Sequence, residues 1–166
     1  MISPELIRRY PFFAGLTQGQ IVALAMVADE KSVEAGHVFF DEGDKLEKLY
    51  FVLDGNVDLA VSVPDSNKNH DRAEQIMGNF ITEAITVSTV GHGQIFAWSS
   101  LIPPHNSTAS ARATIPCRVL VFDSENLSDI FQRDCQFGYL MLQKVANVIR
   151  KRLHDMRIQS LAFIPA

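Results

Sequence analysis

The residues from 97 to 108, Ala-Trp-Ser-Ser-Leu-Ile-Pro-Pro-His-Asn-Ser-Thr, concentrate hydroxyl, imidazole and indole chemistry in one short stretch. Ser99, Ser100, Ser107 and Thr108 each bring a hydroxyl that donates one hydrogen bond and accepts two. His105 can gain or lose a proton near neutral pH, and Trp98 offers an aromatic face and one N–H. Such a set suits recognition of a neutral or weakly anionic small molecule. Pro103 and Pro104 stiffen the loop that carries it. With Ala97 at its head, the candidate ligand-binding set is Ala97, Trp98, Ser99, Ser100, His105, Ser107 and Thr108.

Other chemistries lack an anchor. The histidines at 37, 70, 92, 105 and 154 never stand at a ligand-pair spacing, so no metal site is expected. Asp41, Glu42 and Asp44 crowd around Gly43 and read as a solvated turn, not an acid–base pair. No Gly-x-Ser-x-Gly elbow, phosphate-binding loop or zinc-protease motif occurs, so no catalytic residue is assigned and a non-enzyme is expected, with no certain cofactor. Cys117 and Cys135 are too few and too far apart for a disulfide framework or a metal cluster, and both read as core thiols. The sequon Asn106-Ser107-Thr108 is incidental in the cytoplasmic chain that the N-terminus MISPELIRRYPFF suggests. A net charge of −4 without a basic block argues against direct contact with nucleic acid, and the lack of a long apolar run argues against a membrane span.

The elements that must hold the 97–108 stretch follow from periodicity. TQGQIVALAMVA at 17–28 has a helical apolar stripe, with Thr17 and Gln20 spaced as a capping box. From residue 29 to about 123 short β-rich runs alternate with glycine, as expected of a sandwich or barrel. Residues 64–79 are polar and read as a long hairpin connection. Helical spacing returns after Asp123 and Ser124, either of which can cap. From 137 to 161 a proline-free stretch predicts a helix of nearly ~40 Å. It spaces Leu142, Val145, Ile149, Leu153 and Met156 at three and four residues, a seam that a small barrel cannot wholly cover. A homodimer through that seam is expected, with some other protein as a further possible partner.

Three segments, PFFAGL at 11–16, AGHVFFDEGD at 35–44 and LYFVLDGNVDL at 49–59, resemble the opening helix and first strands of the cyclic-nucleotide-binding superfamily, which includes the Crp/Fnr regulators and kinase regulatory subunits. VGHGQIFAWSSLIPPHNSTASARA at 90–113 stands where that family keeps its phosphate-binding cassette, so the resemblance spans nearly the whole chain. It implies a mainly β fold with flanking helices: a double-stranded β-helix, or jelly-roll, barrel over residues 1–136, followed by a dimerisation or signalling helix over 137–166. It also implies a small-molecule effector. In the family a Gly-Glu pair opens the cassette, the Glu accepts from the ribose, and an Arg nine residues later pairs with the phosphate. Here Ala97, Trp98 and Ser107 stand at those three positions, and Arg112 is kept further on. The usual grip on cyclic AMP or cyclic GMP is therefore not expected. Two readings of the cassette stay open: a pocket altered for another ligand, or a pocket filled by Trp98. The second would make the chain a ligand-free dimerisation or interaction unit, and a third reading makes it the effector half of a Crp/Fnr-like regulator without its helix-turn-helix.

Overall fold

The computed structural model describes residues 2–65 and 82–162. Most of the polar 64–79 connection lies outside them. Two short helical turns, α1 (Pro4–Arg8) and a 3₁₀ turn at Pro11–Phe13, lead into α2 (Gln18–Val27). The start of α2 is fixed as its sequence predicts: the Thr17 hydroxyl accepts from the Gln20 amide while the Gln20 side chain accepts from the Thr17 amide.

Eight strands follow among the described residues: β1 (Ala28–Val33), β2 (Val38–Phe40), β3 (Lys48–Asp54), β4 (Val57–Pro64), β5 (Thr82–Val90), β6 (Ile95–Phe96), β7 (Ser110–Ala113) and β8 (Cys117–Asp123). They form two antiparallel four-stranded sheets, ordered β1-β8-β3-β6 and β2-β7-β4-β5. The mainly β jelly-roll with flanking helices is thus present, and α3 (Ser124–Arg133) and α4 (Cys135–Ala162) close the described chain. The Asp123 carboxylate caps α3 by accepting from the amides of Glu125 and Asn126. The long helix begins two residues before the expected 137.

Alternation along β3 and β8 explains why these strands read as nearly continuous apolar runs. Phe51, Leu120 and Phe122 join Ile7, Leu24, Phe137, Met141 and Val145 in a core between the first sheet and the helices. Their neighbours Val52 and Val119 point the other way, to join Val57, Leu59, Phe96 and Ala111 between the sheets. Both faces of the first sheet are therefore covered, and each large apolar side chain withdrawn from water contributes about 1.5–3 kcal/mol.

Two glycines are fixed by close approach. Gly55 turns at φ +98°, and a Cβ there would stand 2.5 Å from Cys117 Sγ and 2.7 Å from the Pro116 carbonyl. On α4, a Cβ at Gly138 would come within 2.8 Å of Phe131 Cβ, so this glycine lets α3 and α4 meet side chain to backbone. The two cysteines diverge from their common expectation: Cys117 is a buried thiol, whereas Cys135 is exposed at the first position of α4. Its place before the apolar stripe of that helix turns it to solvent.

Candidate functional site

The second sheet does not pack flush against the long helix. Between them lies a cavity of about 400 Å³, within the range of small-molecule sites. Its floor is Phe40 of β2, Leu59 and Val61 of β4, and Val87 and Ser88 of β5. Consecutive residues of a regular strand face opposite ways, yet Val87 and Ser88 both line it. The pairing explains this, because Leu59 opposes Ser88 and Ala60 opposes Thr86, leaving Val87 as the extra residue of a bulge. The rim is the 97–109 stretch, and the roof is α4 through Ile149, Arg152, Leu153 and Met156.

The rim begins with strained backbone. After β6, Ala97 takes φ +64° and ψ +33°, the left-handed conformation that a Cβ disfavours, and heads the 3₁₀ turn Trp98–Leu101. His105 also has a positive φ, +66°. Both non-glycine residues of positive φ among the described residues thus flank the same short segment.

Of the seven residues expected to bind ligand, the structure brings five to the cavity wall: Ala97, Trp98, Ser99, Ser107 and Thr108. Ser100 and His105 do not line it. Within the 3₁₀ turn Trp98 and Ser99 line the cavity, and the next side chain, Ser100, turns away from it. Ser100 is buried with its hydroxyl unpartnered, and its carbonyl lies 3.0 Å from His105 Nδ1. Ser107 is buried and donates its hydroxyl to the Asp41 carbonyl at 2.6 Å, which spends its only donor on the barrel. In β7 the side chain of Arg112 is exposed, opposite the buried Ala111 and Ala113, so it faces away from the cavity.

The residue missing from that expected set is Arg152. Among the described residues it is the single ionised side chain lining the cavity, and no carboxylate lines it. Its guanidinium carbon sits 4.4 Å above the Trp98 ring, and Nη2 donates to the carbonyl of Ile95. Nη1 is buried without a hydrogen-bond partner. Burial lowers the guanidinium from its ordinary value to about 10, which still leaves it charged at neutral pH. A signal for it exists in the sequence: Val145, Ile149, Arg152 and Met156 fall at steps of four, three and four, so the cation occupies an apolar position of the inner stripe.

The five residues of the expected seam divide. Val145 is fully buried against the barrel, Ile149 packs on the same core, and Leu153 and Met156 share the cavity roof while staying partly exposed. Leu142 faces outward, 52% exposed, in company with Tyr139, Ile158 and Leu161. Among the described residues no cluster of His, Cys, Asp or Glu could hold a metal ion, and no helix is long and apolar enough to cross a membrane.

A model of the cyclic nucleotide-binding domain matches residues 30–134. A protein of Rhodopseudomonas palustris named as a potassium channel is 21% identical over 134 residues, covering 81% of this chain and 28% of its own length. The CRP-like cAMP-activated global transcriptional regulator of Mycobacterium tuberculosis is 22% identical over 152 residues, 92% of this chain and 61% of its own length. The chain thus spans less than two thirds of either curated relative. A crystal structure from Geobacter metallireducens, of a protein named as cyclic nucleotide-binding, superposes with a TM-score of 0.73 over 93% of this chain and 100% of that one, at 36% identity.

Proposed function

The chain belongs to the cyclic nucleotide-binding domain family, and from that premise we propose that it is a non-catalytic sensing module whose effector enters the cavity between the second sheet and α4. The observation that carries this reading is the cavity itself. Its floor belongs to the barrel and its roof to the long helix, so a bound molecule touches both at once. A ligand that prefers one placement of the roof shifts the population of that placement, which is all that signalling by a two-state element needs. The altered pocket is favoured over the filled one because Trp98 lies along the rim under Arg152 and leaves about 400 Å³ open.

Cyclic AMP and cyclic GMP are poor candidates for the effector. Trp98 offers no acceptor to a ribose hydroxyl, and Ser107 has its proton committed to Asp41. The exposed apolar side chains of Tyr139, Leu142, Ile158 and Leu161, away from the cavity, support a homodimer across the outer face of α4.

The test uses Trp98, the only tryptophan, as reporter. Its emission should stay unchanged on addition of either cyclic nucleotide, and mass spectrometry of gently purified protein should find a small organic molecule bound. Micromolar or tighter affinity for a cyclic nucleotide in the unmodified protein would overturn the exclusion. A protein that neither retains nor takes up any small molecule would favour a pure interaction unit.

A further inference from the structure

We propose that the cavity takes an organic anion, an aliphatic or aryl body ending in a carboxylate, and that Arg152 reads the charge. This rests on the sensing function above and names the chemical class of its effector. The walls are largely apolar, with Leu59, Val61 and Val87 on the floor and Ile149 and Met156 on the roof, and they would cover a hydrocarbon or aryl body. Among the described residues the charge within them is one-sided: one cation, no acid.

A guanidinium has five N–H donors in a fixed fork, and proteins that withdraw it from water pair it. Here Nη2 is satisfied by a carbonyl and the plane rests on an indole, while Nη1 is buried without a partner. A neutral side chain of similar length would fill the same place without that desolvation cost. The arrangement becomes complete when a planar carboxylate accepts from the fork. Arg152 stands on α4, between Ile149 and Met156 at the cavity roof, so the head group of such a ligand meets the helix while its body lies over the sheet.

Relative to the pattern the family resemblance implies, the anion partner has changed elements. Position 107, on the barrel side, carries a serine tied to Asp41, and the cation comes from the helix that would transmit the signal. An anion drawn to Arg152 acts on α4 directly.

Two matched pairs of probes test this by calorimetry and Trp98 emission: decanoate against decanol, and 4-phenylbutyrate against 4-phenylbutanol. Each acid should bind about ten- to a hundredfold more tightly than its alcohol, the range expected for hydrogen bonds to a charged group. Arg152→Gln, which keeps a polar side chain but no charge, should abolish that preference, and Arg152→Met should do the same. The methionine variant should unfold no earlier than wild type, which separates lost affinity from lost fold. Alcohols that bind as well as their acids would overturn the proposal and leave the sensing function intact. A preference for the acids that survives both substitutions would equally overturn Arg152 as the reader. Binding of no probe would also overturn it, while the fate of the sensing function would still turn on the molecules found with the purified protein.

Discussion

The two halves of α4 are built from the same kinds of residue yet face different surroundings. The first half, from Cys135 to Val145, buries Phe137, Met141 and Val145 completely and touches α3 through the bare backbone of Gly138. Its entry is fixed by Asp134, whose carboxylate accepts from the Phe137 amide at 2.9 Å and from the Gln20 side chain at 3.0 Å. The second half, from Ile149 onward, has no fully buried residue. It touches the barrel through Ile149 on the core and through Arg152 on the Ile95 carbonyl and the Trp98 ring, roofs the cavity with Leu153 and Met156, and leaves Ile158 and Leu161 exposed. The contrast teaches that one continuous helix can be close-packed along one half and loosely covered along the other, with the boundary set by where its inner stripe stops meeting close-packed side chains.

The sharpest way to break this comparison is to place the same charge in each half. Val145→Asp puts an unpaired carboxylate in the core and should cost on the order of 3–5 kcal/mol in urea unfolding, enough to unfold much of the population. Met156→Asp, on a partly exposed residue, should cost no more than about 1 kcal/mol. Equal costs would mean that the distal half is as firmly seated as the proximal one.

A smaller effect on the fold, but a clear one on assembly, is expected from Leu142→Glu combined with Leu161→Glu, both exposed and off the cavity wall. The barrel should keep its cooperative melting while sedimentation reports monomers where the wild type gives dimers. A wild type that stays monomeric at high concentration would remove the outer face of α4 as an interface.

The smallest effect concerns the entry to α4. The hydrogen bond from Gln20, then that from the Phe137 amide, holds the Asp134 carboxyl below its ordinary value. The stabilisation from a carboxylate with a depressed folded value is present above its unfolded value, and it is lost as pH falls through the folded one. The melting temperature of wild type should therefore exceed that of Asp134→Ala at neutral pH, and the gap should close as pH falls below about 4. A gap independent of pH would show that the ionised carboxylate is not what anchors that entry.

Local rules made the frame legible. The Thr17–Gln20 capping box, the Asp123 cap and the positive φ of Gly36, Gly43 and Gly55 at strand corners are all visible in the sequence, because each depends on residues adjacent in the chain. The site was legible only in part. Periodicity placed Leu142, Val145, Ile149, Leu153 and Met156 on a stripe, but spacing alone does not say which neighbour covers it. Val145 proved to belong to the barrel core and Leu142 to the outer face. Ser100 and His105 were grouped with Ser99 and Thr108 by composition, whereas the fold buries Ser100 and sets His105 against its carbonyl, both off the cavity wall. Arg152 stands beside Arg150 and Lys151, and its spacing from Val145, Ile149 and Met156 is the one sign in the sequence that it, of the three, points inward; the packing of α4 over the cavity shows what it meets there.

The length of α4 beyond its last fully buried residue also sets a mechanical gain. From Val145 to Ala162 the axis runs about 26 Å at the rise of an α-helix. With Val145 as fulcrum, a tilt of about 10° there sweeps the far end through roughly 4–5 Å, close to the one-turn steps by which packed helices exchange partners. Arg152 lies two turns from that fulcrum, so an input there moves less than half as far as the output it drives. A tilt driven by the proposed ligand at the cavity roof would therefore trade force for displacement and carry the tip sideways.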